Sequence, residues 1–93
     1  MYIRVTRGRV DPSRYDELRN GVPDIVATMS RLPGCQSYLT GGDRASGQTI
    51  AVATWDTEEH ARFSRDAVPD VISRLEALGA QLDPPEIYEV IPT

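Results

Sequence analysis

Residues 49–59 of this 93-residue chain read TIAVATWDTEE and contain the clearest strand in the sequence. From Thr49 to Trp55 the residues are β-branched, small or aromatic, with no glycine or proline, which is typical of a strand. Asp56 and Glu59 have the spacing of a capping box, and Thr57 is a second candidate N-cap. The stretch therefore predicts a strand that ends at Trp55 and leads directly into a helix.

The helix that follows is predicted to be long, because apolar residues recur at spacings of three and four up to Gly79, which closes it. Pro69 interrupts this helix. Asp83 and two prolines then form a stiff connection into a last strand over residues 87–91. The apolar face of the helix consists of Phe63, Ala67, Val68, Val71, Ile72, Leu75 and Leu78.

N-terminal to residues 49–59, residues 2–6 alternate between apolar and polar side chains, as in a strand. Asp11 and Pro12 then supply a helix start. Gly21 and Pro23 interrupt that first helix, so we expect a kink or two abutting pieces. Residues 35–40 read as a second strand, joined to the third by a glycine-rich turn. The apolar face of the first helix consists of Tyr15, Leu18, Val22, Ile25, Val26, Met29 and Leu32.

The order is therefore β-α-β-β-α-β, a ferredoxin-like α+β domain spanning residues 1–93, with a four-stranded antiparallel sheet and both helices on one face. A weak repeat supports this order, because residues 22–26, VPDIV, recur as residues 68–72, VPDVI.

The sheet face away from the helices is expected to need a cover. Ile50 and Val52 point to one face of the third strand and Ala53 and Trp55 to the other, so neither face is polar. An exposed apolar sheet face favours a partner, and a second copy related by a two-fold axis would supply one. The sequence therefore predicts a homodimer formed through the sheet faces.

Composition excludes several classes of partner. The formal net charge is −4 and the basic residues are scattered arginines, which argues against nucleic acid. No apolar run is long enough to cross a bilayer. Because Cys35 is the single cysteine and no signal peptide is evident, we expect a cytoplasmic protein.

Two short motifs carry a family resemblance. The step LPGC at residues 32–35 and the run ATWDTEEH at residues 53–60 resemble the antibiotic biosynthesis monooxygenase family of dimeric α+β barrels. The resemblance implies a barrel of two sheets and an apolar pocket between each sheet and its helices. It also implies oxidation of a planar phenolic or quinol-type substrate by dioxygen, with no cofactor. The haem-degrading branch is not matched, because the first strand has no Asn and Arg65 stands where that branch has its His.

Four residues are candidates for the site. Trp55 and Phe63 are expected to line a pocket for a small apolar aromatic ligand, although Trp55 could instead fasten the third strand to the second helix. Tyr38 and His60, with Trp55, are the catalytic candidates: Tyr38 as a hydrogen-bond donor and His60 as a general base. The alternatives are packing at the sheet for Tyr38 and a solvated surface position for His60.

The remaining reactive residues have simpler explanations. Asp56, Glu58, Glu59 and His60 are expected to cap a helix rather than bind a metal. Cys35 is expected to be a buried hydrophobe and not a nucleophile. Arg4, Arg7 and Arg9 are expected at the surface, although Arg7 could reach an anionic ligand. Two functions follow: a cofactor-independent monooxygenase, or a non-catalytic homodimeric module that binds a small molecule or supports another protein.

Overall fold

The computed structural model describes residues 1–93 and contains three helices and five strands. In chain order these are β1 (Tyr2–Arg9), α1 (Tyr15–Ser30), β2 (Cys35–Asp43), β3 (Gln48–Trp55), α2 (Glu58–Ala61), α3 (Pro69–Ala77), β4 (Gln81–Leu82) and β5 (Glu86–Glu89). Single-turn 3-10 helices lie at Pro12–Arg14 and Arg65–Ala67. None of the helices combines the length and apolar character that crossing a bilayer requires.

All strand pairs are antiparallel. The sheet order is β2-β3-β1, and both β4 and β5 pair with the free edge of β1. This arrangement confirms the predicted α+β ferredoxin-like fold. The two-residue β4 was not predicted, because a pair of residues is too short to show the alternation that marks a strand.

The start of α1 follows its sequence signals. Asp11 accepts a hydrogen bond from the Ser13 backbone N–H at 2.9 Å, and Pro12 opens the 3-10 turn that precedes the helix. The helix then runs unbroken through Pro23, so the alternative of two abutting pieces is wrong. Proline removes one hydrogen bond of the helix. In the same turn Arg74 of α3 donates to the Gly21 carbonyl at 3.2 Å and ties the two helices together.

The second predicted helix is divided into α2 and α3: the interruption expected at Pro69 is present, but α2 already ends at Ala61, so the prediction of a long helix before Pro69 is wrong. Thr57 is the N-cap of α2 and accepts a hydrogen bond from the His60 backbone N–H at 3.1 Å. Ser64 then caps a separate 3-10 turn. A residue before proline avoids the helical conformation, and Val68 accordingly has φ −136° and ψ 55°. Pro69 therefore begins a new helix and does not continue the old one.

The strand register divides the sheet into an inner face, which the helices cover, and an outer face. Arg4 of β1 pairs with Ala53 of β3, and Ala53 pairs with Tyr38 of β2, so these three share the inner face. Ile87 of β5 also pairs with Arg4 and lies on this face. The core lies between the inner face and the helices and comprises Val10, Ile25, Met29, Ala53, Trp55, Ala61, Val68, Val71 and Leu78.

The outer face has no helix over it and is apolar at its centre, with the Arg7–Glu86 ion pair on the same face. Val5 pairs with Val52, and Val52 pairs with Leu39, so these side chains form one row across three strands. Leu39 is 72% exposed, and Tyr88 of β5 is 53% exposed.

Two glycines at positive φ give a test of this architecture. Gly47 (φ +79°) ends the β2–β3 turn, and a Cβ there would overlap the Val10 carbonyl oxygen; Gly79 (φ +70°) ends α3 with open space around it. We expect Gly79→Ala to lower the free energy of unfolding by only the conformational cost of about 1–2 kcal/mol. Gly47→Ala should cost clearly more, because the contact between Val10 and Gly47 must also yield. Urea unfolding followed by circular dichroism compares the two, and equal losses would contradict this account of the turn.

Candidate functional site

A cavity of about 670 Å³ lies between the inner face of the sheet and the helices. Its floor is made of small side chains, because Ala51 on β3 pairs with Thr6 on one side and Thr40 on the other. Two residues further along β3, Ala53 is flanked by Arg4 and Tyr38. These two side chains form the end of the cavity nearest the core around Trp55. The floor is therefore flat in the middle and polar at one end.

The roof of the cavity is mainly apolar, with Arg19 on α1 and Asp83 after α3 as its charged residues. It comes from the inward faces of α1 and α3 and from the segment that connects α3 to β5. The helical lining residues include Leu18, Val22, Ile25, Met29, Val68, Val71, Ile72 and Leu75, and the connecting segment adds Ala80, Leu82, Asp83, Pro84 and Pro85. This arrangement can exclude water from a bound ring system over most of its surface.

Phe63 lies at the Arg4 end of the cavity and contacts both Arg4 and Trp55. The guanidinium carbon of Arg4 lies 3.9 Å from the centre of the Phe63 ring, a cation–π contact. The Trp55 and Phe63 ring centres are 5.2 Å apart with a 44° tilt. Phe63 lines the cavity, and the break between α2 and α3 leaves it in a non-helical segment beside Arg4.

Tyr38 lines the cavity and is partly buried against the core. Burial raises the pKa of its phenol, and the nearby positive charge of Arg4 opposes part of that shift. Because the raised pKa keeps the hydroxyl protonated at neutral pH, Tyr38 can donate a hydrogen bond to a ligand oxygen. It is not suited to act as a base.

Trp55 is placed differently from the pocket wall that the sequence suggested. Its side chain is fully buried, packs against Ala53 and Ala61, and is not among the residues that line the cavity. Its indole N–H has no hydrogen-bond partner within the protein. The position of the ring therefore agrees with the alternative interpretation, in which Trp55 fastens β3 to α2. Trp55 contacts the cavity only indirectly, through Phe63.

His60 lies outside the cavity. Its Nδ1 is 2.6 Å from the Asp56 Oδ1, and both side chains are about 40–45% exposed. The hydrogen bond with His60 lowers the pKa of the Asp56 carboxyl. The structure does not bring His60 together with Tyr38 and Phe63, and the pair instead lies against Gly34, at the start of β2.

The other reactive side chains do not form a site. No group of three or more His, Cys, Asp or Glu side chains is close enough to hold a metal ion. Burial raises the pKa of the Cys35 thiol, which disfavours the reactive thiolate, and Cys35 does not line the cavity.

Arg4 is a cavity residue that the sequence analysis missed. It was expected at the surface, but it lines the cavity, and its Nη1 donates to the Ala61 carbonyl at 2.8 Å. The signal was its alternation with Ile3 and Val5, which places Arg4 on the opposite face of β1. Arg7, the arginine expected to reach an anionic ligand, instead bonds Glu86 at 2.9 Å and does not line the cavity.

Comparisons with known proteins show what this chain is similar to. No protein-family model and no curated protein matches the sequence. A provisionally assigned antibiotic biosynthesis monooxygenase from Deinococcus radiodurans has a TM-score of 0.80 and 22% identity, covering 100% of this chain and 95% of that one. HapK from Hahella chejuensis has a TM-score of 0.81 and 12% identity, covering 100% and 95%.

SnoaB from Streptomyces nogalater, described as a cofactor-independent oxygenase, has a TM-score of 0.70 and 17% identity, covering 99% of this chain and 94% of that one. At these identities the likeness establishes the fold, which is that of the antibiotic biosynthesis monooxygenases, and leaves the activity to be argued from the site.

The protonation of Tyr38 can be measured. In a spectrophotometric titration of the phenols, we expect the transition lost in Tyr38→Phe to lie above the ordinary tyrosine pKa of about 10. Arg4→Met should move the Tyr38 transition further up, because the opposing positive charge is gone. A Tyr38 transition at or below the ordinary value would contradict the buried, protonated phenol.

Proposed function

We propose that this chain, with the fold of the antibiotic biosynthesis monooxygenases, is a cofactor-independent monooxygenase for a planar phenolic or quinol-type aromatic substrate. The observation that carries the proposal is the cavity of about 670 Å³ with a floor of small side chains, a mainly apolar roof, and Arg4 and Tyr38 together at one end. Its volume lies within the roughly 300–1,000 Å³ typical of sites for small organic ligands.

The shape of the cavity favours a flat ring system. The row Thr6, Ala51 and Thr40 crosses three strands with no side chain larger than threonine, so a planar ligand can lie along the sheet. Ile25, Met29 and the α3 residues would cover its other side. Binding in this way would hold the ligand in one orientation, with its oxygen substituents towards Tyr38.

The chemistry that fits this site depends mainly on the substrate. An anthrone-type substrate has an acidic methylene group whose carbanion is delocalised onto the ring oxygen. Tyr38 would donate a hydrogen bond to that oxygen and stabilise the anion, in the manner of an oxyanion hole. The apolar roof would exclude water while dioxygen adds to the carbon. The methylene loses two hydrogens, one oxygen atom becomes the new carbonyl, and the other leaves with those hydrogens as water.

The second candidate is a non-catalytic module that binds a similar ligand unchanged. The observation that favours it is the absence of a buried base. The lining contains no histidine, and its single carboxylate, Asp83, is exposed. In the oxygenase, the substrate proton would have to leave to solvent or to Asp83. Turnover therefore decides between the two candidates.

Turnover can be tested with a panel of anthrones and quinols under ¹⁸O₂. We expect oxygen uptake, one labelled atom in the product and the other in water. Tyr38→Phe should lower kcat by about 100-fold, the usual loss when an oxyanion donor is removed. Tyr2→Phe is the matched control, because Tyr2 does not line the cavity.

Binding of these compounds without oxygen uptake would replace the oxygenase by the binding module. His60→Gln tests the remaining alternative, that His60 is the general base. We expect an unchanged rate, whereas a large loss of rate would assign the proton transfer to His60 and Asp56.

We also propose that the protein is a homodimer joined through the outer faces of its sheets. Ile3, Val5, Ile50 and Val52 lie on this face, and Leu39 and Tyr88 extend it to both sides. A second copy would remove this apolar surface from water, which is a large favourable term in association. The cavity lies on the opposite face of the sheet and would stay accessible in such a dimer.

A charge on the outer face tests the dimer. Leu39→Asp replaces a side chain that is 72% exposed in one chain, so it should leave the fold intact. In the dimer the new carboxylate would be buried against apolar residues, and we expect mostly monomer in sedimentation velocity. Ala27→Asp, an exposed position on α1, is the control and should not change the sedimentation. A Leu39→Asp protein that sediments as the wild type would contradict the interface.

A further inference from the structure

Arg4 is the only one of the ten arginines that is both half-buried and without a carboxylate partner. Six others form ion pairs with acidic side chains, namely Arg7, Arg14, Arg44, Arg62, Arg65 and Arg74. The three that remain, Arg9, Arg19 and Arg31, are exposed to solvent. Arg4 therefore keeps an uncompensated positive charge at a place where water cannot fully solvate it.

The contacts of Arg4 hold it in place without neutralising it. Nη1 donates to the carbonyls of Ala61 at 2.8 Å and Phe63 at 3.4 Å, and the guanidinium lies over the Phe63 ring. Nε is buried and has no hydrogen-bond partner. Nη2 also donates nothing within the protein and, unlike Nε, is not buried, so Nη2 is the guanidinium nitrogen that can donate a charge-assisted hydrogen bond to an anion in the cavity.

The charge around the cavity has the opposite sign to that of the whole chain. The formal net charge of the protein is −4. The cavity lining nevertheless contains three arginines, Arg4, Arg19 and Arg65, and one carboxylate, Asp83. Glu76 pairs with Arg65 at 3.2 Å, and no ion pair offsets Arg4 or Arg19. The cavity lining therefore carries a net positive charge although the whole chain is acidic. This local positive charge would attract an anionic ligand into the cavity.

We propose that the cavity selects an organic anion, and that Arg4 binds the carboxylate of a planar aromatic ligand. The carboxylate lies at the polar end beside Tyr38 and Phe63, and the ring system extends over Thr6, Ala51 and Thr40. The inference deepens the proposed function, since it uses the same cavity, and it makes Arg4 the residue that determines substrate charge. Because Phe63 and the Ala61 carbonyl already orient the guanidinium, little side-chain freedom is lost on binding.

The test compares two ligands that differ in charge and little else. Isothermal titration calorimetry under nitrogen measures the Kd of 2-naphthoate and of 2-naphthamide for the wild-type protein. We expect the carboxylate to bind at least about tenfold more tightly, as charge-assisted hydrogen bonds are stronger than neutral ones. Arg4→Met should abolish the preference, Arg4→Lys should retain part of it, and Arg31→Gln, which removes an exposed unpaired charge, should leave it unchanged.

The outcomes separate this inference from the proposed function. A preference for naphthoate that Arg4→Met removes supports the anion site, even if no compound is turned over. Equal affinity for the two ligands, or a preference that survives in Arg4→Met, overturns it even if oxygenation is found. Thermal unfolding shows whether the Arg4 variants are folded, and the wild-type comparison decides the question alone if they are not.

Discussion

Two alanines of β3, Ala51 and Ala53, lie on the inner face of the sheet between β1 and β2, and the placement of the cavity depends on them. Ala51 and Ala53 lie where β3 runs between its two neighbours, so the helices cannot fill the space above them without bringing in large side chains of their own. Over Ala53 that side chain is Phe63, which closes the core. Over Ala51 nothing comparable is supplied, and the space stays open as the cavity.

The break between α2 and α3 determines which residues close that space. A continuous helix would carry Phe63 on the same apolar face as Val71 and Leu75. The helix is interrupted between Ala61 and Pro69, so Phe63 is not fixed by helical periodicity. Its ring instead packs against the Arg4 guanidinium and the Trp55 ring. Trp55 is fully buried and holds α2 against the end of β3. Its effect on the cavity passes through the position of Phe63.

The sequence predicted most of the fold because alternation and helical spacing are local properties of the chain. The strand over Thr49 to Trp55, the caps at Asp11 and Thr57, and the apolar outer face all follow from neighbouring residues. The interruption at Pro69 was predicted from the proline itself, whereas the end of α2 at Ala61 was not, since the apolar spacing continues through Phe63 and Ala67. The two-residue β4 carries no periodic signal at all.

The candidate site was predicted only in part, for a different reason. Tyr38 and Phe63 line the cavity as expected, whereas Trp55 and His60 do not, and Arg4 was overlooked. An arginine in an alternating strand reads as a solvent-facing residue. Its true surroundings depend on the pairing of β1 with Ala53 and Ile87, partners roughly 50 and 80 positions away in the chain. Polar residues that face a cavity cannot be told from those that face water without that register.

Arg4 also shows how stability and function can be separated in this protein. Taking a charge out of water without an opposite charge beside it is unfavourable, and an apolar side chain on β1 would pack against Phe63 at lower cost. Burial lowers the pKa of Arg4, although a guanidinium stays charged at neutral pH. The core formed by Ala53, Trp55 and Ala61 is apolar, and Arg4 contacts its edge through hydrogen bonds to the Ala61 and Phe63 carbonyls. A cation without a carboxylate partner, placed at one end of an open cavity beside a protonated phenol, is the feature on which the proposed anion site rests.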